Sequence, residues 1–83
     1  MKFFVVAEQT GADRTPYQEA ETRGVRELRD RGVIEQIYLR LDGSMSYTVV
    51  EAESEQVARV AFERLPFVMN GVLKIEIFPV RVA

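Results

Sequence analysis

The chain has 83 residues, 47% of them hydrophobic, and a formal net charge of -2 from 11 basic and 13 acidic side chains. That length makes a single domain spanning 1–83, and the charge lacks the basic stripe a nucleic-acid binder needs. With neither Cys nor His, the chain has no disulfide, thiol nucleophile, histidine triad, His zinc site or histidine proton shuttle.

No run approaches the roughly 18 apolar residues of a membrane-spanning helix. The opening MKFFVVAEQTGAD turns polar too soon for a signal peptide, so a cytoplasmic protein is the expectation. So short a chain buries a modest share of its surface. Its high apolar content therefore predicts surface left for a partner, most simply a second copy of itself.

Lys2 to Glu8 reads as a first strand. Phe3, Val5 and Ala7 point one way and Phe4 and Val6 the other, so both faces of this strand are expected to be covered. A polar loop around Gly11 follows. Thr15-Pro16-Tyr17-Gln18 then predicts a helix start, with Thr15 as N-cap, Pro16 at the first helical position and Gln18 closing a capping box. The helix is expected to run from Pro16 to about Arg31, with Gly32 as its C-terminal stop. Its apolar stripe is Tyr17, Ala20, Gly24, Val25 and Leu28, and Glu21 falls on or beside that stripe.

The stretch GVIEQIYLRLDGSMSYTVVEA, residues 32–52, reads as two strands folded back at Asp42-Gly43. Asp-Gly between β-rich runs predicts a type I′ hairpin turn. A two-residue loop would pair Tyr38 with Tyr47, Ile37 with Thr48, Gln36 with Val49 and Ile34 with Glu51. Strand alternation then sets Leu39, Ile37, Ser46, Thr48 and Val50 on one face, with Glu35 near its end. Ile34, Gln36, Tyr38, Arg40, Met45, Tyr47 and Val49 fall on the other, a mixture of aromatic, cationic and amide groups that a core face seldom needs.

Ser54 caps a second helix, whose apolar positions Val57, Ala58, Ala61, Phe62 and Leu65 form one stripe. Pro66 stops it, and Phe67 to Asn70 reads as a connection leading to an Asn70-Gly71 turn. Val72 to Phe78 is the last strand, and Pro79 marks an edge or an exit from the sheet. The order β-α-β-β-α-β is the ferredoxin-like α+β plan, one antiparallel sheet with both helices on one face. The bare face predicts a dimer packed sheet against sheet.

Without His or Cys, proton transfer falls to Asp, Glu, Lys, Tyr or Arg. A carboxylate at position 21 on a helix's inner face would lose water and become a better base; at the border of the stripe it would simply reach solvent. Tyr38 and Tyr47 are either a packing pair or hydroxyls that orient a substrate oxygen. Arg40 is either a surface arginine or a group that holds a carboxylate or stabilises an enolate. Ser44 and Ser46 at the hairpin end are possible donors. No metal constellation, phosphate-cradling glycine loop or dinucleotide fingerprint is present, and no cofactor is expected.

From Leu28 onward the chain resembles the muconolactone delta-isomerase family. The resemblance is carried by LRDRG at 28–32, Tyr-x-Arg at 38–40, Gly43 in the hairpin, YTVVEAES at 47–54, LPF at 65–67 and a last strand ending in Pro79. It implies a ferredoxin-like subunit, dimers built around facing sheets into a dimeric α/β barrel, and larger rings of dimers. It also implies a cofactor-free isomerase that moves a proton across an unsaturated lactone, with Glu21 as the proton carrier and Tyr38 and Arg40 beside it. Tyr47, Ser46 and Tyr17 complete the expected site as substrate-binding residues. The hairpin is one residue shorter than the family's, and Ser44, Met45 and Ser46 replace its polar aromatic, histidine and asparagine. The C-terminal tail is short too.

Three functions therefore stand: an isomerase acting on a small lactone or carbonyl compound; a cyclase or cofactor-free oxygenase on the same scaffold; or a non-catalytic ligand-binding subunit. None calls for nucleic acid or a membrane.

Overall fold

The computed structural model describes all 83 residues. Strand β1 (Lys2–Gln9) leads through a 3-10 turn (Thr15–Tyr17) into helix α1 (Gln18–Asp30). The hairpin strands β2 (Ile34–Leu39) and β3 (Met45–Glu51) follow, then α2 (Glu55–Glu63), the single-turn helix α3 (Pro66–Met69) and β4 (Leu73–Val80). The sheet order is β2-β3-β1-β4 with every neighbouring pair antiparallel. This is the ferredoxin-like α+β plan expected from the sequence.

The helices cover one face. Phe3 and Val5 of β1, Ile34 of β2, Val50 of β3 and Ile77 of β4 pack there with Leu28, Ala58, Phe62 and Leu65 as one buried core. Fully burying each large side chain of such a core contributes about 1.5–3 kcal/mol. At Gly24 of α1 an added Cβ would stand 2.8 Å from Cδ2 of Leu65, so the missing side chain sets how closely α1 approaches the chain entering α3. The opposite face stays open. Phe4 and Val6 are half-buried there, and the Phe4 ring stacks on Tyr47 with centroids 6.1 Å apart.

The helix ends correct two expectations and match two. Thr15 does not cap α1. The Asp13 Oδ1 accepts from the Thr15 N–H, and α1 begins at Gln18, after a turn of 3-10 geometry. The cause is local: an Asx turn at Asp13 takes the Thr15 N–H that Gln18 would have served in a capping box, and the Tyr17 N–H bonds the Arg14 carbonyl. Ser54 does cap α2, its Oγ accepting from Val57 N–H at 3.2 Å. Gly32, at φ 77°, ends α1, where Val33 N–H reaches back to the Leu28 carbonyl. The stretch from Phe67 to Asn70, expected as a connection, is largely helical: Pro66–Met69 form α3, with Pro66 at its first helical position.

The hairpin keeps its expected register near the turn, with Leu39 opposite Ser46, Tyr38 opposite Tyr47 and Gln36 opposite Val49. Its turn is not type I′. No residue other than glycine has positive φ, so Asp42 is not left-handed, and only Gly43 at φ 76° takes that role. The loop is Leu41–Ser44. Gly43 N–H bonds the Arg40 carbonyl at 2.8 Å, while Asp42 Oδ1 accepts from both N–H and hydroxyl of Ser44. The short side chain of Asp42 thereby closes the loop without the strained backbone of the mirror-image turn. Further along, a bulge at Glu35 shifts the register, so Ile34 pairs with Val50 instead of Glu51. Ile34 thus turns under the helices, buried to 4% exposure, and Glu35 turns to the open face, where it accepts from Lys2 Nζ.

Candidate active site

A cavity of about 310 Å³ lies between α1, α3 and the helix-covered face of the sheet. Its walls are largely apolar, with Ala7, Val25, Ile37, Phe62, Phe67 and Ile75 among them. That size and lining suit a small, flat organic molecule. The lining has one carboxylate, Glu21, and one cation, Arg14; Gln9, Gln18, Thr22, Ser44, Ser46 and Thr48 supply the other polar side chains.

Glu21 sits in the first turn of α1, on its inner face, with 8% of its surface exposed. Its Oε1 accepts the backbone N–H of Phe67 at 2.9 Å. That N–H belongs to the first turn of α3, where helical donors have no partner within the helix. Oε2 has no protein partner. Because no buried side-chain oxygen in the chain lacks one, Oε2 keeps accessible surface, and Glu21 is part of the cavity lining. Burial raises the Glu21 pKa above its ordinary value; the Phe67 N–H and the charge of Arg14 pull the other way without reversing the shift. The carboxylate is thus a desolvated base with one oxygen anchored and one free.

Ser46, on β3 across from Ala7, shares the cavity with Glu21. The other expected site residues do not. Tyr38, Tyr47 and Arg40 alternate onto the open face of the sheet, and none of them lines the cavity. Tyr38 is 55% exposed, while the Tyr47 hydroxyl and the Arg40 guanidinium both lie against the Met45 sulfur. The alternation that joins Tyr38 to Tyr47 also turns both away from Ile37 and Thr48, which form the cavity side. Within one chain, therefore, the expected grouping of Glu21 with Tyr38 and Arg40 does not form. Tyr17 is half-buried beside the start of α1 and also stays outside the cavity.

Arg14 and Gln18 were not expected in the site. A signal for them existed: residues 14, 18, 21 and 25 recur at helical spacing and share one face once the 3-10 turn is counted with α1. Reading Gln9 to Arg14 as loop alone concealed it. No cluster of three or more acidic side chains converges as a metal-binding group.

The fold and the cavity together define a ferredoxin-like α+β domain that can enclose a small molecule between sheet and helices. The same fold occurs in the 5-chloro-2-hydroxyhydroquinone dehydrochlorinase of Burkholderia phenoliruptrix AC1100, solved with 2,5-dihydroxybenzoquinone. Its TM-score is 0.82 at 18% identity, covering 100% of this chain and 96% of that one. Muconolactone isomerase matches with a TM-score of 0.80 at 17% identity, covering 100% and 91%. A putative antibiotic biosynthesis monooxygenase from Deinococcus radiodurans is more distant, with a TM-score of 0.52 at 12% identity and coverage of 100% and 95%. No family model matches the chain, and no curated protein matches it by sequence. The likeness is one of fold, shared with muconolactone isomerase and the dehydrochlorinase over nearly their whole length. No helix is long and apolar enough to cross a membrane.

Proposed function

We propose that this chain is a cofactor-independent isomerase of the muconolactone isomerase type, which moves a proton in a small unsaturated lactone or carbonyl compound. The observation that carries this reading is a desolvated Glu21, its Oε2 unpaired, in the lining of an apolar cavity. In the reaction, Glu21 takes a proton from the carbon next to a carbonyl. The electron pair left behind delocalises onto the carbonyl oxygen as a dienolate. The protonated Glu21 then returns the proton at the far carbon of the conjugated system, and the double bond has moved. Apolar walls strengthen the base, because a carboxylate with little water regains stability by taking a proton. Hydroxyls of Ser46 and Thr48 on the cavity wall are donors for the developing oxyanion.

Lactone isomerisation and dehydrochlorination, the activities named for two structures of this fold, each need a base to take a proton from the substrate. That shared need favours Glu21 as the working group. The functional unit is a homodimer in which the open faces meet. Tyr38, Tyr47 and Arg40 would act at that junction, reaching a site only through the partner.

The test is proton NMR of a simple five-membered unsaturated lactone in D₂O with the protein and with Glu21→Gln. Isomerisation with deuterium uptake by the native chain, reduced at least about 100-fold in the variant, is expected for loss of a positioned general base. Equal rates would overturn the assignment.

A further inference from the structure

Two donors converge on one sulfur at the hairpin end of the open face. Arg40 Nη1 lies 3.5 Å from Met45 Sδ, and the Tyr47 hydroxyl lies 3.9 Å from the same atom. Each donor is braced from its other side. Arg40 Nε stands 3.8 Å from Asp42 Oδ2, and Asp42 is held in turn through Oδ1 by the N–H and hydroxyl of Ser44. The Tyr47 ring stacks on Phe4. A thioether is a weak acceptor, so both donors gain little from the sulfur they face.

Met45 is half-buried, and alone among the strand residues of the open face it also lines the cavity. A small oxidant therefore reaches it from the cavity mouth even with the open face covered. Met69, at the end of α3, is the natural comparison: it is 64% exposed and no donor meets its sulfur. Exposure alone would make Met69 the more reactive of the two.

We propose that Met45 is a modification site, oxidised to the sulfoxide by hydroperoxides, and that Arg40 and Tyr47 promote the reaction and hold its product. The sulfur lone pair attacks one oxygen of hydrogen peroxide, and the O–O bond breaks. Sulfur gives up two electrons and the peroxide takes them. The proton of the transferred oxygen passes to the departing one, which leaves as water. Negative charge builds on both oxygens during the transfer, where a guanidinium and a phenol hydroxyl are already aimed. The sulfoxide oxygen is a far better acceptor than the sulfur was, and both donors can serve it. Oxidation thus turns a loose contact into a fixed one, tying the end of β2 to β3 beside Leu39, Ser44 and Ser46 of the cavity wall.

The experiment exposes the folded native chain to hydrogen peroxide and follows Met45 and Met69 in one sample by peptide mass spectrometry, each gaining one oxygen. Arg40→Gln and Tyr47→Phe are treated alike, with circular dichroism to confirm their fold. Met45 should react at least as fast as Met69. Each substitution should slow Met45 about fivefold, the worth of one ordinary hydrogen bond, and leave Met69 unchanged. Accessibility predicts the opposite sign, because trimming either neighbour bares the sulfur. In urea the two methionines should react equally. Slower oxidation of Met45 than of Met69 in the native fold, or a Met45 rate that holds or rises in either variant, would overturn the proposal. Retention of the product is read in a Met69→Leu background, where the chain oxidised at Met45 should melt no lower than the reduced one. A drop in melting temperature would overturn that part.

Discussion

The backbone N–H of Phe67 donates to Oε1 of Glu21 at 2.9 Å, joining the first turn of α1 to the first turn of α3 across 46 residues of sequence. One oxygen of the carboxylate thus does structural work while the other stays free. The two roles separate under mutation.

Glu21→Gln retains an oxygen that can accept from Phe67, so the fold should survive. Burial raises the Glu21 pKa, which means the folded chain holds that proton more tightly than the unfolded one. The resulting cost to stability is absent below the unfolded pKa, grows as pH rises toward the folded pKa and is complete above it. Thermal denaturation should therefore show Glu21→Gln at least as stable as the native chain at pH 7. The gain should shrink on acidification through the carboxyl range. A variant less stable than the native chain at pH 7 would contradict this account.

Glu21→Ala should behave oppositely. It strands the Phe67 N–H beside the core and enlarges the cavity, at a cost of about 1–3 kcal/mol for the unpaired donor alone. Urea denaturation of the alanine and glutamine variants side by side measures the difference.

The pH dependence of isomerisation follows from the same shift. Glu21 works as a base only when ionised, so the rate should rise with pH through an apparent pKa above that of an ordinary glutamate. A rate that saturates within the ordinary carboxylate range would place Glu21 in water.

Val6 lies near the middle of the open face, paired with Tyr47 on one side and Glu76 on the other. For the homodimer proposed above, Val6→Asp should abolish self-association without unfolding the chain, since Val6 is absent from the buried core. Light scattering coupled to size exclusion reads the mass, and circular dichroism checks the fold. Tyr38→Phe and Arg40→Gln should leave binding of a probe in the cavity unchanged in the monomeric Val6→Asp background.

Gly24→Ala sets two effects against each other. Alanine gains about 1 kcal/mol in helix propensity. Its Cβ, however, meets Leu65 Cδ2 at 2.8 Å, and Leu65 is buried, so overpacking of about 1–3 kcal/mol opposes the gain. Net destabilisation is expected, relieved in the double variant with Leu65→Ala relative to the sum of the single changes.

Much of this was legible in the chain. The element order, the capping of α2 by Ser54 and the central register of the hairpin all follow from local patterns that tertiary structure left intact. Glu21 was legible because a carboxylate on an apolar stripe is conspicuous. The sidedness of the sheet was not, because Phe4 and Val6 make the open face of β1 nearly as apolar as the covered one. That is why Tyr38, Tyr47 and Arg40 were grouped with a carboxylate from which the sheet divides them. The bulge at Glu35 carries no glycine to announce it, and α3 is a single turn, too short for periodicity to register.

The bulge also says where the chain can change length. In β2, three residues (Ile34 to Gln36) span the distance that Val49 and Val50 cover in β3. Deleting Glu35 would remove the bulge and restore strict alternation, leaving Ile34 opposite Val50 and on the covered face. The bulge therefore absorbs one extra residue without changing phase: the hairpin keeps its tyrosines outside at the turn and its isoleucine inside at the helix.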